Sequence, residues 1–544
     1  MKTILPVLFL LFGLAGCNFR SQEADLVIHN AVIHTLDGNG ATFEAMAVRD
    51  GRILELGAER QIMNRYAAKE VHDAAGSHVY PGFIDGHCHF FGYGLNKQKV
   101  DLVGVKSEAE LVDRVIAHAA AHPGQEWLIG RGWDQNLWEG QRYPDNTALN
   151  AAFPDRPVFL QRIDGHAAVV NQAGLERVGL SAQSTIAGGL LEIRDGRLTG
   201  LLLDNAVEVF QKIFDEADEA TKRKALLRAQ EDCFRAGLTM VCDAGLDTNT
   251  IALIDRMQRS GELKMRVYAM VADRPEHLAH YATTGPIVQE RLIVRAVKVY
   301  ADGALGSRGA LLKAPYSDVD STWHGLQLAS AEHFDEVAAW CMANGFQMAT
   351  HCIGDSANKL LLDIYGKHLE SGNDRRWRIE HAQVVEPSDL GLFRKWNVIP
   401  SVQPTHATSD MPWAADRLGP VRTSHAYAYK ALLEQNGLVA LGTDFPVEGI
   451  APLGTFHAAV TRSPIQDPER TPVLPENALS RAEALRGLTI HNAIATFTEA
   501  DLGTLEAGKL ADVTIVDRDL ETTPTPLLHG ARVLATFVNG ERVH

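Results

Sequence analysis

Pro81-Gly82-Phe83-Ile84-Asp85-Gly86-His87-Cys88-His89 carries the most specific chemistry in the chain. Side chains two apart on a strand share a face, so His87 and His89 can grip one ion. Imidazole is a suitable ligand for zinc and its neighbours. In a chain with 22 histidines such a pair is weak by itself, but its context strengthens it. It ends an apolar run and precedes Gly92 and Gly94, where an active-site loop would begin. Other polar residues close apolar runs in the same way: His351 follows 346–350, His381 follows 377–380 and Asp444 follows 438–443. Lys298 lies inside the run 294–300. A charge there is costly unless it is paired or neutralised.

Eight short apolar runs could position these residues: 79–85, 238–242, 265–270, 293–300, 346–351, 377–381, 398–402 and 438–444. Helical patterns, such as 331–344 and 357–369, lie between most of them. Strands alternating with helices imply parallel pairing. Eight parallel strands fit a closed barrel, whose C-terminal strand ends converge on one mouth. The fold class is therefore α/β: a (β/α)8 TIM barrel over 81–94 and 205–502, with two additions. About 150 residues separate the first run from the second, far more than a strand–helix connection needs, which places an inserted subdomain at 95–204. Turn-punctuated strands at both ends, 26–33, 45–48, 52–54, 511–517 and 533–538, predict a small β-sandwich domain built from 25–80 and 503–544.

The N-terminus has its own pattern. Lys2, the apolar run 4–14 and Leu14-Ala15-Gly16-Cys17 have the marks of a secretory signal, and the small residues before the cysteine resemble a bacterial lipobox. Residues 1–17 are expected to be a lipoprotein signal with Cys17 as the lipidated residue. Asn18 after the cysteine favours an outer-membrane destination over inner-membrane retention. The protein is then exported and held at a membrane, on the periplasmic or outer-membrane face in a bacterium. The five remaining cysteines are an odd number without a disulfide framework. Fifty-two Lys+Arg against 68 Asp+Glu give a formal charge of −16, which argues against nucleic acid as a partner. No apolar stretch of about 20 residues follows the signal, which argues against a membrane-spanning transporter.

Together these segments resemble the metal-dependent amidohydrolase superfamily, and within it the family-3 group of YtcJ-like and N-substituted formamide deformylase-like proteins. The resemblance rests on the PGFIDGHCH start, Lys298 in VKVYADGALGSRGA, THCIGD at 350–355, RIEHAQ at 378–383, LGTDFPV at 441–447 and the late segment 503–512. It covers essentially the whole chain after the signal. It implies that His87, His89 and Asp444 bind a more buried divalent metal and that His351 and His381 bind a second. Lys298, carboxylated on its amine by CO2, would bridge the two. Zinc is the expected ion, with one or two per chain. A buried lysine has a lowered pKa, so its neutral amine can capture CO2. The unmodified alternative is a lysine paired with a carboxylate such as Asp302. The resemblance also implies a homodimer.

A bound divalent ion brings water's pKa toward neutrality and polarises a carbonyl. Asp444 is the expected general base and then acid, and His381 the group that steadies an oxyanion in a one-metal site. The reaction expected is hydrolysis of a non-peptide C–N bond in a small-molecule substrate. Candidate substrate contacts are Trp133 and Asp134 in 132–138, His166, Asp302, Arg308 as a carboxylate clamp, and Gln403, with Trp138 and His406 as further candidates. Two alternatives stay open: the same centre acting on lactones or phosphoesters, and a metal- or ligand-binding lipoprotein without turnover.

Overall fold

The apolar run at 79–85 is not one strand. In the computed structural model, which describes residues 21–214, 217–319 and 322–544, the run divides at Gly82. His78–Pro81 pairs antiparallel with Val513–Val516, whereas Phe83–Cys88 pairs parallel with Leu238–Leu246. A Cβ on Gly82 would lie 2.3 Å from Thr239 Oγ1, so only glycine lets the chain cross here from the terminal sheets into the barrel. The signal segment and Cys17 lie outside the described residues.

Eight parallel strands follow in order: β1 (Phe83–Cys88), β2 (Leu238–Leu246), β3 (Arg266–Ala272), β4 (Leu292–Tyr300), β5 (Gln347–Cys352), β6 (Arg378–His381), β7 (Ile399–Val402) and β8 (Ala440–Leu441). Each pairs with its neighbour in sequence. Among the described residues no ladder joins β1 to β8, and the barrel is nearly closed. Side chains and single backbone bonds hold that seam. Asp444 N–H donates to the His87 carbonyl at 2.8 Å. Asp85 accepts from the Thr443 backbone at 3.0 Å and from its hydroxyl at 2.6 Å. Asn492 Nδ2 donates to the carbonyls of both Ile84 and Leu441. A Cβ on Gly442 would lie 2.5 Å from His87 N, so the two chains touch where the ligands emerge.

The helices between strands start and stop where their sequences dictate. Ala331–Asn344 is capped by Ser330, which accepts from His333 N–H, and ends at Gly345 with φ 76°. Its Phe334, Val337, Ala338 and Cys341 recur at helical spacing and are buried toward the barrel.

Between β1 and β2 lies a six-stranded sheet running from Val100–Asp101 to Arg197–Asp204. It has its own core, in which Trp133 and Trp138 pack with Leu128, Leu160 and Leu201. Trp133 Nε1 donates to the Leu160 carbonyl and Trp138 Nε1 to that of Val105, both at 2.8 Å. The expectation of a tryptophan substrate wall at 133 and 138 is corrected here: both rings fill the core and satisfy their N–H groups inside it.

The two ends of the chain form a separate domain of two packed sheets. Gln22–His29, Ala45–Arg49, Arg52–Gly57 and Tyr66–Asp73 make one. Val32–His34, Thr42–Phe43, His78–Pro81, Val513–Val516, Val533–Val538 and Glu541–Arg542 make the other. Leu26, Ile28 and Met46 from the first face Ile33, Val79, Ile515 and Phe537 from the second. The Asp50-Gly51 turn has φ 51° and 76°, the two positive values a tight hairpin needs. The run 26–33 breaks at Asn30, φ 51°, and so serves both sheets. Cys88, Cys233, Cys242, Cys341 and Cys352 are buried and unpaired.

Candidate metal centre

His87, His381 and Asp444 each offer a ligand atom, and the three atoms lie within 4.8 Å of one another. His87 ends β1, His381 ends β6 and Asp444 follows β8. Around them, Lys298 Nζ on β4 is 3.3 Å from His87 Nε2, and His89 Nε2 is 3.3 Å from Asp444 Oδ1. The His351 ring, at the end of β5, is centred 4.5 Å from that of His381. The parallel barrel thus brings together all six residues singled out as metal ligands.

Second partners fix which ring nitrogen faces inward. His87 Nδ1 donates to Glu380 Oε2 at 2.6 Å, His381 Nδ1 to Gln403 Oε1 at 2.8 Å, and His89 Nδ1 to the Ala244 carbonyl at 3.3 Å. Each bond leaves Nε2 with its lone pair free. His351 is turned the other way, with Nε2 3.4 Å from the Gly303 carbonyl, so that Nδ1 carries the lone pair. Asp444 Oδ2 is held by His406 Nε2 at 3.2 Å, while Oδ1 is buried without a hydrogen bond. A buried carboxylate oxygen with no donor, close to imidazole lone pairs, fits a divalent cation, which would satisfy the open positions of His87, His381 and Asp444 at once.

The electrostatics agree. Burial, with Lys298 adding to it, pushes His87 down to about 4, and burial pushes His351 and His381 well below the usual range. All three are neutral at physiological pH, as metal ligands must be. Burial alone would raise Asp444, yet the hydrogen bond from His406 holds it well below the usual carboxylate range. Burial likewise opposes ionisation of Glu380, and Arg378 beside it prevails. Burial brings Lys298 down to about 8. His381 and Asp444 both adopt left-handed backbone angles, φ 73° and 60°, which cost strain in residues other than glycine.

Several supporting residues were not singled out from the sequence. Glu380 bridges His87 to Arg378, whose Nε lies 2.7 Å from Glu380 Oε1, and all three are fully buried. The signal was present, since two charges two apart inside a strand raise the same alarm as Lys298. Asp85 was visible in the motif but not its grip on Thr443, which depends on closure of the barrel. His406, expected only as a further substrate contact, does line the cavity but also bridges Asp444 and Glu448, the latter at 3.1 Å. Burial would lower His406, yet Asp444 and Glu448 raise it well above its ordinary value, so both nitrogens carry protons.

A cavity of about 1490 Å³ opens over this centre. Of the expected substrate contacts, Asp134 and His166 line it. Asp134 accepts from Arg162, and His166 Nδ1 donates to Asp204 at 2.8 Å. Three expectations are corrected. Asp302 is fully buried and accepts from the backbones of Leu311, Ile353 and Gly354 at 2.8–3.0 Å, so its carboxylate anchors loops. That role also removes it as an ion-pair partner for Lys298. Arg308 is clamped by Asp318 at 2.9 Å, away from the cavity lining. Gln403 accepts from His381 and orients that ligand. The guanidinium groups that do reach the cavity belong to Arg131, Arg162 and Arg274.

A near-closed parallel barrel with histidine and aspartate ligands at its strand ends is the architecture of a metal-dependent hydrolase. The chain matches the Amidohydrolase family over residues 70–544 and belongs to it. It is 31% identical over 529 residues to YtcJ of Bacillus subtilis (strain 168), an amidohydrolase by name, covering 95% of this chain and 98% of that one. It is 27% identical over 547 residues to the N-substituted formamide deformylase of Arthrobacter pascens, covering 96% and 98%. Among solved structures, a metal-dependent hydrolase from Pyrococcus furiosus superimposes with a TM-score of 0.73 at 30% identity, covering 91% of this chain and all of that one.

Proposed function

We propose that this protein hydrolyses a non-peptide C–N bond in a small molecule: an amide, a cyclic amide or an N-formyl or N-acyl group. The observation that carries this is the set of neutral imidazoles around the unpaired Oδ1 of Asp444, on the floor of a large cavity. Full-length likeness to an N-substituted formamide deformylase supports the bond type. His87, His381 and Asp444 would hold a divalent ion, with His89, His351 and Lys298 beside it. Zinc suits this nitrogen and oxygen donor set. When bound, the ion would supply Lewis acidity and make water nucleophilic at neutral pH.

The chain's own residues do the rest. Asp444 stays anionic because His406 holds it so, and it can take the proton of the attacking water. Returning that proton to the departing nitrogen lets the amine leave. His406 keeps Oδ2 occupied at 3.2 Å, so that Oδ1 is the oxygen presented to the reaction. Glu380 and Gln403 keep His87 and His381 in one tautomer. Asp134 and His166 meet the substrate above.

Lys298 is proposed to carry a carbamate. Its amine is buried, and among the described residues no carboxylate lies within ion-pairing distance of it. The neutral amine would attack CO2, forming an N–C bond and losing a proton, which would give an anionic oxygen donor beside His87. Cys17 is the proposed lipid attachment point, export and membrane anchoring following from it, and a homodimer is the proposed assembly.

Side-by-side turnover of N-substituted formamides, cyclic amides, lactones and organophosphates tests the bond type. Amides should lead by orders of magnitude in kcat/KM, and preference for a lactone or phosphoester would replace this proposal. Native mass spectrometry should show a labile adduct with the mass of CO2 that Lys298→Ala abolishes. An adduct-free wild type with full activity removes the carbamate.

A further inference from the structure

The terminal domain holds a second cluster of ligand-type side chains that the hydrolytic centre does not use. His34 Nε2 lies 3.0 Å from His78 Nδ1 and 4.0 Å from Asp519 Oδ1. The three residues come from three segments: strand Val32–His34, strand His78–Pro81 and the loop after Val513–Val516. The first two strands pair in parallel with Val32 opposite His78, which sets the two histidines on neighbouring strands. We propose that His34, His78 and Asp519 form a second metal site, for a zinc-like divalent ion, that clasps the two ends of the chain.

The geometry supports a ligand set over a chance meeting. Glu521 Oε2 lies 3.1 Å from His34 Nδ1 and accepts its proton, which leaves Nε2 as the lone-pair nitrogen facing His78 and Asp519. This is the arrangement that Glu380 imposes on His87, and carboxylates behind histidine ligands characteristically set tautomer and basicity. The His34 ring is held flat against Tyr80, with centroids 4.5 Å apart and planes 8° from parallel. Asp519 Oδ1 is steadied by the Glu521 N–H at 2.8 Å and the Tyr80 hydroxyl at 3.4 Å. Tetrahedral zinc with bonds near 2.0–2.1 Å separates its ligand atoms by about 3.3 Å, so the observed 3.0 and 4.0 Å need only small adjustments. The His34 side chain is 6% exposed and that of Asp519 20%, so these donors lie just beneath the surface.

The site would do structural work. It joins the first sheet-forming segments to a loop near the C-terminus; His34 and its partner Glu521 are 487 positions apart in sequence. Since both ends must already be in place for the three donors to meet, the ion would bind the folded domain and not the unfolded chain, and so stabilise it by mass action.

The test uses the full-length protein in two backgrounds, wild type and a His87→Gln/His381→Gln chain in which the hydrolytic centre is disabled. Each is dialysed to equilibrium against buffered zinc, and bound zinc is counted by elemental analysis. The disabled chain should keep one tightly bound zinc per chain, and adding either His78→Gln or Asp519→Asn should remove it. Zinc should raise the melting temperature of the disabled chain by several degrees, and adding Asp519→Asn should abolish the shift. Should His78→Gln fail to fold, Asp519→Asn and the visible absorption of cobalt bound to the disabled chain decide. A tetrahedral cobalt spectrum lost in Asp519→Asn supports the site. Equal zinc in the disabled chain with and without Asp519→Asn, or no tight zinc in it at all, overturns it.

Discussion

Nδ1 of His87 lies 2.6 Å from Glu380 Oε2, and solvent reaches neither side chain. Glu380 in turn faces the buried guanidinium of Arg378. One carboxylate therefore fixes the tautomer of a metal ligand and neutralises a charge in the barrel interior. Glu380→Gln keeps the shape but weakens both functions. Metal affinity, measured by competition with a chelator, should fall by roughly 10–100-fold. Unchanged affinity would mean that Glu380 serves Arg378 alone.

Asp444→Asn removes the proton acceptor while leaving an oxygen that can still face an ion. Turnover should drop by about 10²–10⁴-fold, the usual contribution of a general acid–base group. Metal content measured on the same sample separates lost chemistry from lost ion. A variant with full metal and near-normal turnover would move the proton to another residue.

Asn492 is one of the groups that close the barrel, its amide donating to Ile84 on β1 and Leu441 on β8. Asn492→Ala leaves two buried carbonyls without that donor, at a cost of about 1–3 kcal/mol each. Chemical denaturation should show the loss, and metal affinity should fall with it because His87 and Asp444 flank the same seam. A destabilisation below about 0.5 kcal/mol would show that the seam does not depend on this residue.

Away from the centre, burial lowers His491 from 6.5 to about 4, with Arg486 nearby contributing in the same direction. Its folded form therefore disfavours the proton, and the unfolded chain binds more protons between those values. Stability from this group is complete above pH 6.5 and is lost as the pH falls toward 4, by at most about 3 kcal/mol. Denaturation midpoints measured over that window should flatten in His491→Asn relative to wild type. Parallel slopes would show that other groups govern the acid limb.

Much of this site was legible because its ligands stand where short apolar runs stop. His351 and His381 stand at the ends of buried strands and Asp444 lies just beyond one, and parallel pairing brings those ends together. Arg378 and Glu380 were equally visible as charges inside such a run. What sequence spacing did not reveal was partnership across distance. Arg308 has the appearance of a substrate clamp until Asp318 is found against it. Asp302 looked like a contact for lysine or substrate, yet three backbone N–H groups from later loops claim it. Trp133 and Trp138 have the composition of a ligand wall, and only the packing of the inserted sheet shows which face they occupy. The division at Gly82 depends on Thr239, which lies over 150 residues away.

The central claim is that His87, His381 and Asp444 hold an ion without which no hydrolysis occurs. The direct measurement is turnover of an N-substituted formamide by the protein as purified, after stripping with a chelator, and after zinc is returned. Activity should vanish on stripping and return with zinc in the wild type, and should stay absent in His381→Gln under both conditions. Full turnover by the stripped protein, or restoration by zinc in His381→Gln, would contradict the account.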